Sequence, residues 1–112
     1  MTLPQNIAEL CLSTLPHEAC GVVVDGKAVL CRNTSDKPDV SFVISPEDYL
    51  RYRPTTIFHS HPTGEEGFSD HDLAVAANME LTSYVYIVEA DRLERWSAEE
   101  GLAVFENVLK KR

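Results

Sequence analysis

Phe58-His59-Ser60-His61-Pro62, followed after a short loop by Ser69-Asp70-His71-Asp72, decides how this chain is read. Thr55 to Phe58 form a β-branched and aromatic run, so a strand is expected there. On a strand, positions i and i+2 share a face, and His59 and His61 therefore point the same way. Pro62 cannot continue a central strand, and Thr63-Gly64-Glu65-Glu66-Gly67 is loop chemistry, so the chain leaves the sheet directly after His61. Order resumes at Ser69. Leu73, Ala76 and Ala77 recur at helical spacing, which places Ser69 at a helix N-cap and Asp72 in the first turn. A strand end carrying two imidazoles is thereby set against a helix start carrying a carboxylate.

Two neutral imidazoles and one carboxylate form a ligand set for catalytic zinc, which keeps its fourth position for water. Each part also has an ordinary explanation. Ser69-x-x-Asp72 is close to a capping box, and a His-x-His pair can be two partly buried, hydrogen-bonded side chains. Their conjunction, with a proline stop and a Gly-containing loop between, favours the metal reading. The segment resembles the signature of the JAMM (MPN-plus) metallopeptidases, in which His-x-His is followed by seven residues, Ser, two residues and Asp; Pro62 to Phe68 supply the seven. That resemblance implies His59, His61 and Asp72 as zinc ligands, and Ser69 as a hydrogen-bond donor to a developing oxyanion.

Zinc hydrolysis also needs a carboxylate that takes a proton from the activated water and returns it to the leaving amine. Spacing alone leaves Glu9, Glu18, Glu47 and Glu65 open. Glu18 precedes a buried strand, where partial desolvation can raise a carboxyl pKa, although a glutamate at such a junction is as a rule solvated. The resemblance selects it. The family's general base is a glutamate on an early strand, and Pro16-His17-Glu18-Ala19-Cys20-Gly21 satisfies the Pro-x-Glu-x-Cys-Gly pattern of its bacterial and phage members. Cys31-Arg32-Asn33 and Pro46-Glu47-Asp48-Tyr49 are similar to the JAMM domain at the N-terminus of lambda-like phage tail assembly protein K, and the likeness covers about residues 7 to 97.

Outward from the central stretch, residues 3 to 14 place Leu3, Ile7, Leu10 and Cys11 on one helical face, with Pro4 in the first turn. Glu18 to Val24 read as a buried strand, Asp25-Gly26-Lys27 as a hairpin turn and Ala28 to Arg32 as the returning strand. Asn33 to Asp39 form a loop, Ser41 to Ile44 a short strand, and Ser45-Pro46-Glu47-Asp48 opens a short helix that ends by Pro54. Tyr84 to Glu89 make an apolar strand, and a turn at Ala90-Asp91 leads into Leu93 to Trp96. Ser97-Ala98-Glu99-Glu100 is expected to cap a last helix that packs Leu102, Phe105, Val108 and Leu109 on the sheet. Strands interleaved with helices describe an α/β domain with a mixed sheet. The resemblance adds the topology, a curved mixed sheet flanked by helices, cytidine-deaminase-like. With 112 residues, one domain spanning 1–112 is expected.

The apolar fraction of 44% and charged fraction of 25% are those of an ordinary globular protein. No run reaches the length of a membrane span and the N-terminus lacks the start of a signal peptide, so a cytoplasmic protein away from membranes is expected. The net charge of −8 argues against nucleic acid. Lys110-Lys111-Arg112, the one basic cluster, reads as a solvated helix terminus. Cys11, Cys20 and Cys31, odd in number and without a Cys-x-x-Cys pair, fit reduced thiols, with Cys20 a buried small hydrophobe. The function implied is a zinc-dependent peptidase or isopeptidase acting on a peptide or protein substrate. The chain has little room for the insertions with which eukaryotic deubiquitinating members grip ubiquitin, which leaves a ubiquitin-like sulfur carrier conjugate, a phage tail protein or a cell-wall peptide. The alternative is a phage tail assembly module with a structural or vestigial metal site. A nucleotide-binding α/β protein would need a Gly-rich phosphate loop after a strand, and the sequence has none.

Overall fold

In the computed structural model, which describes residues 1–110, the His-x-His stretch lies on an inner strand of a six-stranded sheet. Helix α1 (Leu3–Ser13) comes first, closed by a reciprocal cap between Thr2 and Gln5 that adds to the expected Pro4. A hairpin of β1 (Cys20–Val24) and β2 (Lys27–Cys31) follows, then α2 (Pro46–Tyr52), β3 (Thr56–His61) and α3 (Asp70–Asn78). Strands β4 (Thr82–Ile87), β5 (Arg92–Ser97) and β6 (Gly101–Phe105) complete the sheet, with one 3-10 turn at Val88–Ala90 between β4 and β5. The strand order is β2-β1-β3-β4-β5-β6. Every neighbouring pair is antiparallel except β3 and β4, which run parallel with α3 as their crossover. The mixed α/β sheet flanked by helices is the fold class the sequence implies.

Alternation along β3 gives the sheet two unlike faces. On one, α1 packs Ile7, Ala8 and Cys11 against Ala19, Phe58, Tyr84, Tyr86 and Leu93. On the other, Val22, Cys31, Ile57 and Leu81 form a smaller cluster beneath Ile44 and Tyr52. All three cysteines are free, and Cys20 is buried as expected, with Cys11 and Cys31 buried as well; burial pushes the Cys11 and Cys20 thiols up to about 12 and that of Cys31 to about 11. Among the described residues, no helix is long and apolar enough to cross a membrane.

Two expected elements are different. The last helix is a strand: a turn after Ser97 delivers Gly101, at φ +70°, into β6, which pairs with β5 from Ser97↔Gly101 to Leu93↔Phe105. Ser97 does accept the Glu100 amide as a cap would, but here the bond closes a hairpin. Phe105, Val108 and Leu109 still reach the core, while Leu102 is exposed. Ser41 to Ile44 are not a strand either; only an isolated bridge, Asn33↔Ile44, survives. The Asn33 side chain takes the place of a ladder, donating to Ser41 O and accepting the Val43 amide. Smaller shifts concern boundaries. The apolar strand begins at Thr82 rather than Tyr84, and Ser45 precedes α2 without a side-chain cap bond. Lys110 is not helical, and Lys111 and Arg112 of the basic cluster lie outside the described residues.

Candidate metal centre

The site is built where β3 ends and α3 begins. Period-two alternation puts Ile57, His59 and His61 on one face of β3 and Phe58 and Ser60 on the other. Ser60 fixes the strand: its hydroxyl accepts the Ala19 amide at 2.8 Å and its own amide donates to Ala19 O at 3.1 Å. At the start of α3, Ser69 Oγ accepts the Asp72 amide at 3.0 Å, and the Ser69 amide donates to Asp72 Oδ2 at 3.0 Å. This capping box and the proposed ligand set are one structure. The cap holds Asp72 Oδ2 3.3 Å from His59 Nε2 and 3.7 Å from His61 Nε2.

The three side chains fit a divalent metal. Their ligand atoms lie within 4.8 Å of one another, and donors of a tetrahedral zinc centre, at bonds of about 2 Å, stand roughly 3.3 Å apart. His59 is 1% exposed, yet neither of its ring nitrogens makes a hydrogen bond. A buried imidazole left so is unfavourable unless something else engages it. His61 donates from Nδ1 to Glu66 O at 2.9 Å, which assigns a proton to Nδ1 and turns Nε2 toward Asp72. Phe42 stacks on the His59 ring at 4.5 Å, and Phe68 lies 6.2 Å from it, so apolar groups screen the ring from water.

The charges are consistent with that use. Burial pushes His59 below the ordinary imidazole value, against the pull of Asp72. His61 is raised by Asp72 despite partial burial. Burial alone would raise Asp72, but both imidazoles and the Ser69 amide hold its carboxyl well below the usual range. Glu18, 6% exposed, is pushed up to about 7 by burial, opposed by His61 and reinforced by Asp72.

Glu18, His59, His61, Ser69 and Asp72 all line one cleft of about 560 Å3. All five residues picked from the sequence therefore meet, and of the four candidate glutamates only Glu18 lines the cleft. His71 lies at its edge; Asp70 is exposed outside it. The segment from Val40 to Ile44 forms the opposing wall. Asn33, at the start of the loop that the sequence predicts, ties that wall to Glu18: Nδ2 donates to both Glu18 O and Ser41 O, and Oδ1 accepts the Ser35 and Val43 amides. Sequence reasoning misses that role, and it misses Phe42. Nothing in local spacing says that residue 42 will stack on residue 59.

Residues 2–99 match the sequence profile described as prokaryotic homologs of the JAB domain. No curated protein matches the chain. The solution structure of protein DSY2949 from Desulfitobacterium hafniense is similar in fold, with a TM-score of 0.65 and 20% identity, covering 98% of this chain and 90% of that one. With the profile spanning most of its length, the chain belongs to the family of prokaryotic homologs of the JAB domain.

Proposed function

We propose that this protein is a zinc-dependent peptidase or isopeptidase that hydrolyses an amide bond in a peptide or protein substrate. The observation that carries the reading is the convergence of His59, His61 and Asp72 within 4.8 Å, in the same cleft as a buried glutamate held near pH 7. His59, His61 and Asp72 would hold the zinc, which when bound activates water and polarises the scissile carbonyl. Glu18 takes the proton from the attacking water and delivers it to the departing amine nitrogen, a task suited to a carboxyl that titrates near the working pH. Ser69 Oγ already accepts the Asp72 amide, so its own proton is free to be donated toward charge developing on the carbonyl oxygen. Phe42 and Phe68 exclude water from the inner face of His59. Among the described residues the metal-capable group has three members, which leaves a coordination position for water and supports turnover over a closed structural site.

The substrates we propose are those the family resemblance implies: a sulfur-carrier conjugate, a phage tail protein or a cell-wall peptide. The test begins with elemental analysis of purified wild type and of His59→Ala with Asp72→Ala. About one zinc per chain, absent from the double variant, is expected. Glu18→Gln should then retain the zinc and lower kcat about 10²–10⁴-fold on a peptide and isopeptide panel. Wild type that takes up no zinc on reconstitution would end the peptidase reading in favour of the assembly module.

A further inference from the structure

We propose that Arg92 and Glu94 on β5, two strands away from the histidines, are positioning residues that set the tautomer of His61 through the loop between β3 and α3. The proposal rests on the ligand reading of His61 given above. Sheet register supplies the first step. His61 pairs with Ile87, which pairs with Arg92, and His59 pairs with Val85, which pairs with Glu94. Residues directly opposite one another share a face, so Arg92 and Glu94 stand on the metal side of the sheet, roughly 10 Å from the histidines at about 4.8 Å per strand.

The loop crosses that gap. Arg92 Nη2 donates to Glu65 O at 2.6 Å, and Arg92 Nε donates to Glu94 Oε2 at 3.1 Å. Gly67 lies against the same Glu94 carboxylate, so closely that an added Cβ would stand 2.0 Å from Oε1 and 2.5 Å from Cδ. Glu65 and Gly67 are thus pinned from beneath. Between them, Glu66 O accepts the His61 Nδ1 proton at 2.9 Å, and just beyond them Phe68 meets His59. The Arg92–Glu94 pair is largely buried, with side chains 21% and 12% exposed, so its geometry is more constrained than that of a surface ion pair. A carbonyl that holds a ligand's distal N–H fixes both ring orientation and the lone pair offered to metal. Here the adjoining carbonyl, Glu65 O, is held by an arginine 27 positions further along the chain, so the loop backbone that presents Glu66 O is fixed one residue away.

The experiment uses the whole chain. Imidazole 15N spectra of the metal-free protein should show His61 as a single Nδ1–H tautomer in wild type and as a mixture of both tautomers in Arg92→Ala. Zinc affinity, read by chelator competition, should fall 10–100-fold in that variant, and Arg92→Lys should recover part of the loss by restoring one donor to Glu65 O. Gly67→Ala, whose Cβ would stand 2.0 Å from Glu94 Oε1 and so must part the loop from the Arg92–Glu94 pair, should reproduce the mixture should Arg92→Ala fail to fold. A folded variant of either kind with an unchanged His61 tautomer would overturn the proposal. Peptidase activity is not read in this experiment. A wild type that binds zinc without hydrolysing peptides would defeat the functional reading above and leave this one standing.

Discussion

The two faces of β3 are built from alternate residues of one strand and follow opposite rules. Toward α1, Phe58 and Ser60 are fully buried, Ser60 is partnered with Ala19, and Tyr86 OH with Asp91 Oδ1 at 2.6 Å. The orphan on that side, Arg95 Nε, belongs to a guanidinium lying 5.8 Å from the Phe105 ring centroid. Toward the cleft, His59 is as buried as its neighbours, yet neither ring nitrogen makes a hydrogen bond, and Nε2 has only the Asp72 carboxylate nearby at 3.3 Å. Burial by itself therefore does not separate core from site; a fully buried ring with neither nitrogen hydrogen-bonded does. One face is packed on α1, and the other presents three side chains that could hold a metal.

The comparison breaks most directly at Phe58. Its ring is 0% exposed at the centre of the α1 face, so Phe58→Ala should lower unfolding free energy by about 3–5 kcal/mol, measured by urea denaturation of the metal-free protein. Zinc should not change this difference by more than a few tenths of a kcal/mol in any variant that stays folded. A much smaller loss would mean that the α1 face is not the rigid one.

Asp91 tests the same face through its polar groups. This residue, read from sequence only as a turn, accepts hydrogen bonds from Tyr86 OH and the Leu109 and Lys110 amides, and ties the end of the described chain to the sheet. Asp91→Asn should cost about 2–3 kcal/mol at pH 7, since it weakens several bonds to a charged acceptor. Burial opposes ionisation of Asp91, but those donors hold its carboxyl below the ordinary value. Its contribution is thus fully present above the unfolded pKa of about 4 and is lost as pH falls through the lower folded value. The gap between wild type and Asp91→Asn should narrow below pH ~4. A constant gap down to pH ~2 would show that the charge is not what those donors hold.

What could be read in advance follows the same division. His59, His61, Ser69 and Asp72 were legible because a strand's period of two, a proline stop and a helix cap are local rules, and all four residues lie within one β-loop-α unit. Glu18 was not singled out by spacing; its place in the cleft comes from antiparallel pairing of β1 with β3, a non-local event that only the family pattern anticipated. β6 was misread because Leu102, Phe105 and Leu109 satisfy a helical period as well as Leu102 and Val104 satisfy a strand's outward positions, and pairing with β5 decided between them. Asn33, Phe42 and Arg92 act across the fold, on partners with no sequence signal.

Asn33 sharpens the comparison on the cleft side, where order rests on one amide rather than a packed core. Its four hydrogen bonds join Glu18 to the wall at 35–43. Asn33→Ala should lower stability by about 2 kcal/mol, since four backbone groups, three of them partly buried, lose their partner. The larger signature is local. Amide exchange at Val43 and Ser35 should accelerate strongly while that of Phe58 and Tyr86 changes only by the global loss. Uniform acceleration would mean that the two faces are one cooperative unit.

The smallest effect has the opposite sign. If His59 is buried for a ligand rather than for the fold, then the metal-free protein carries a buried imidazole that makes no hydrogen bond and has only Asp72, 3.3 Å from Nε2, to offset its burial beneath Phe42 and beside Phe68. Replacing it by a hydrocarbon of similar reach removes that penalty, while Asp72 keeps His61 and the Ser69 amide as partners. His59→Leu should therefore raise the stability of the metal-free protein by about 1 kcal/mol, the lower end of what a buried unsatisfied polar group costs. Added zinc should stabilise wild type in proportion to RT ln(1 + [Zn]/Kd) and leave the variant almost unmoved. Calorimetry with and without zinc measures both. A His59→Leu protein that is destabilised by 2 kcal/mol or more without metal would show the imidazole to be a structural member of the fold, and the contrast between the faces would be lost.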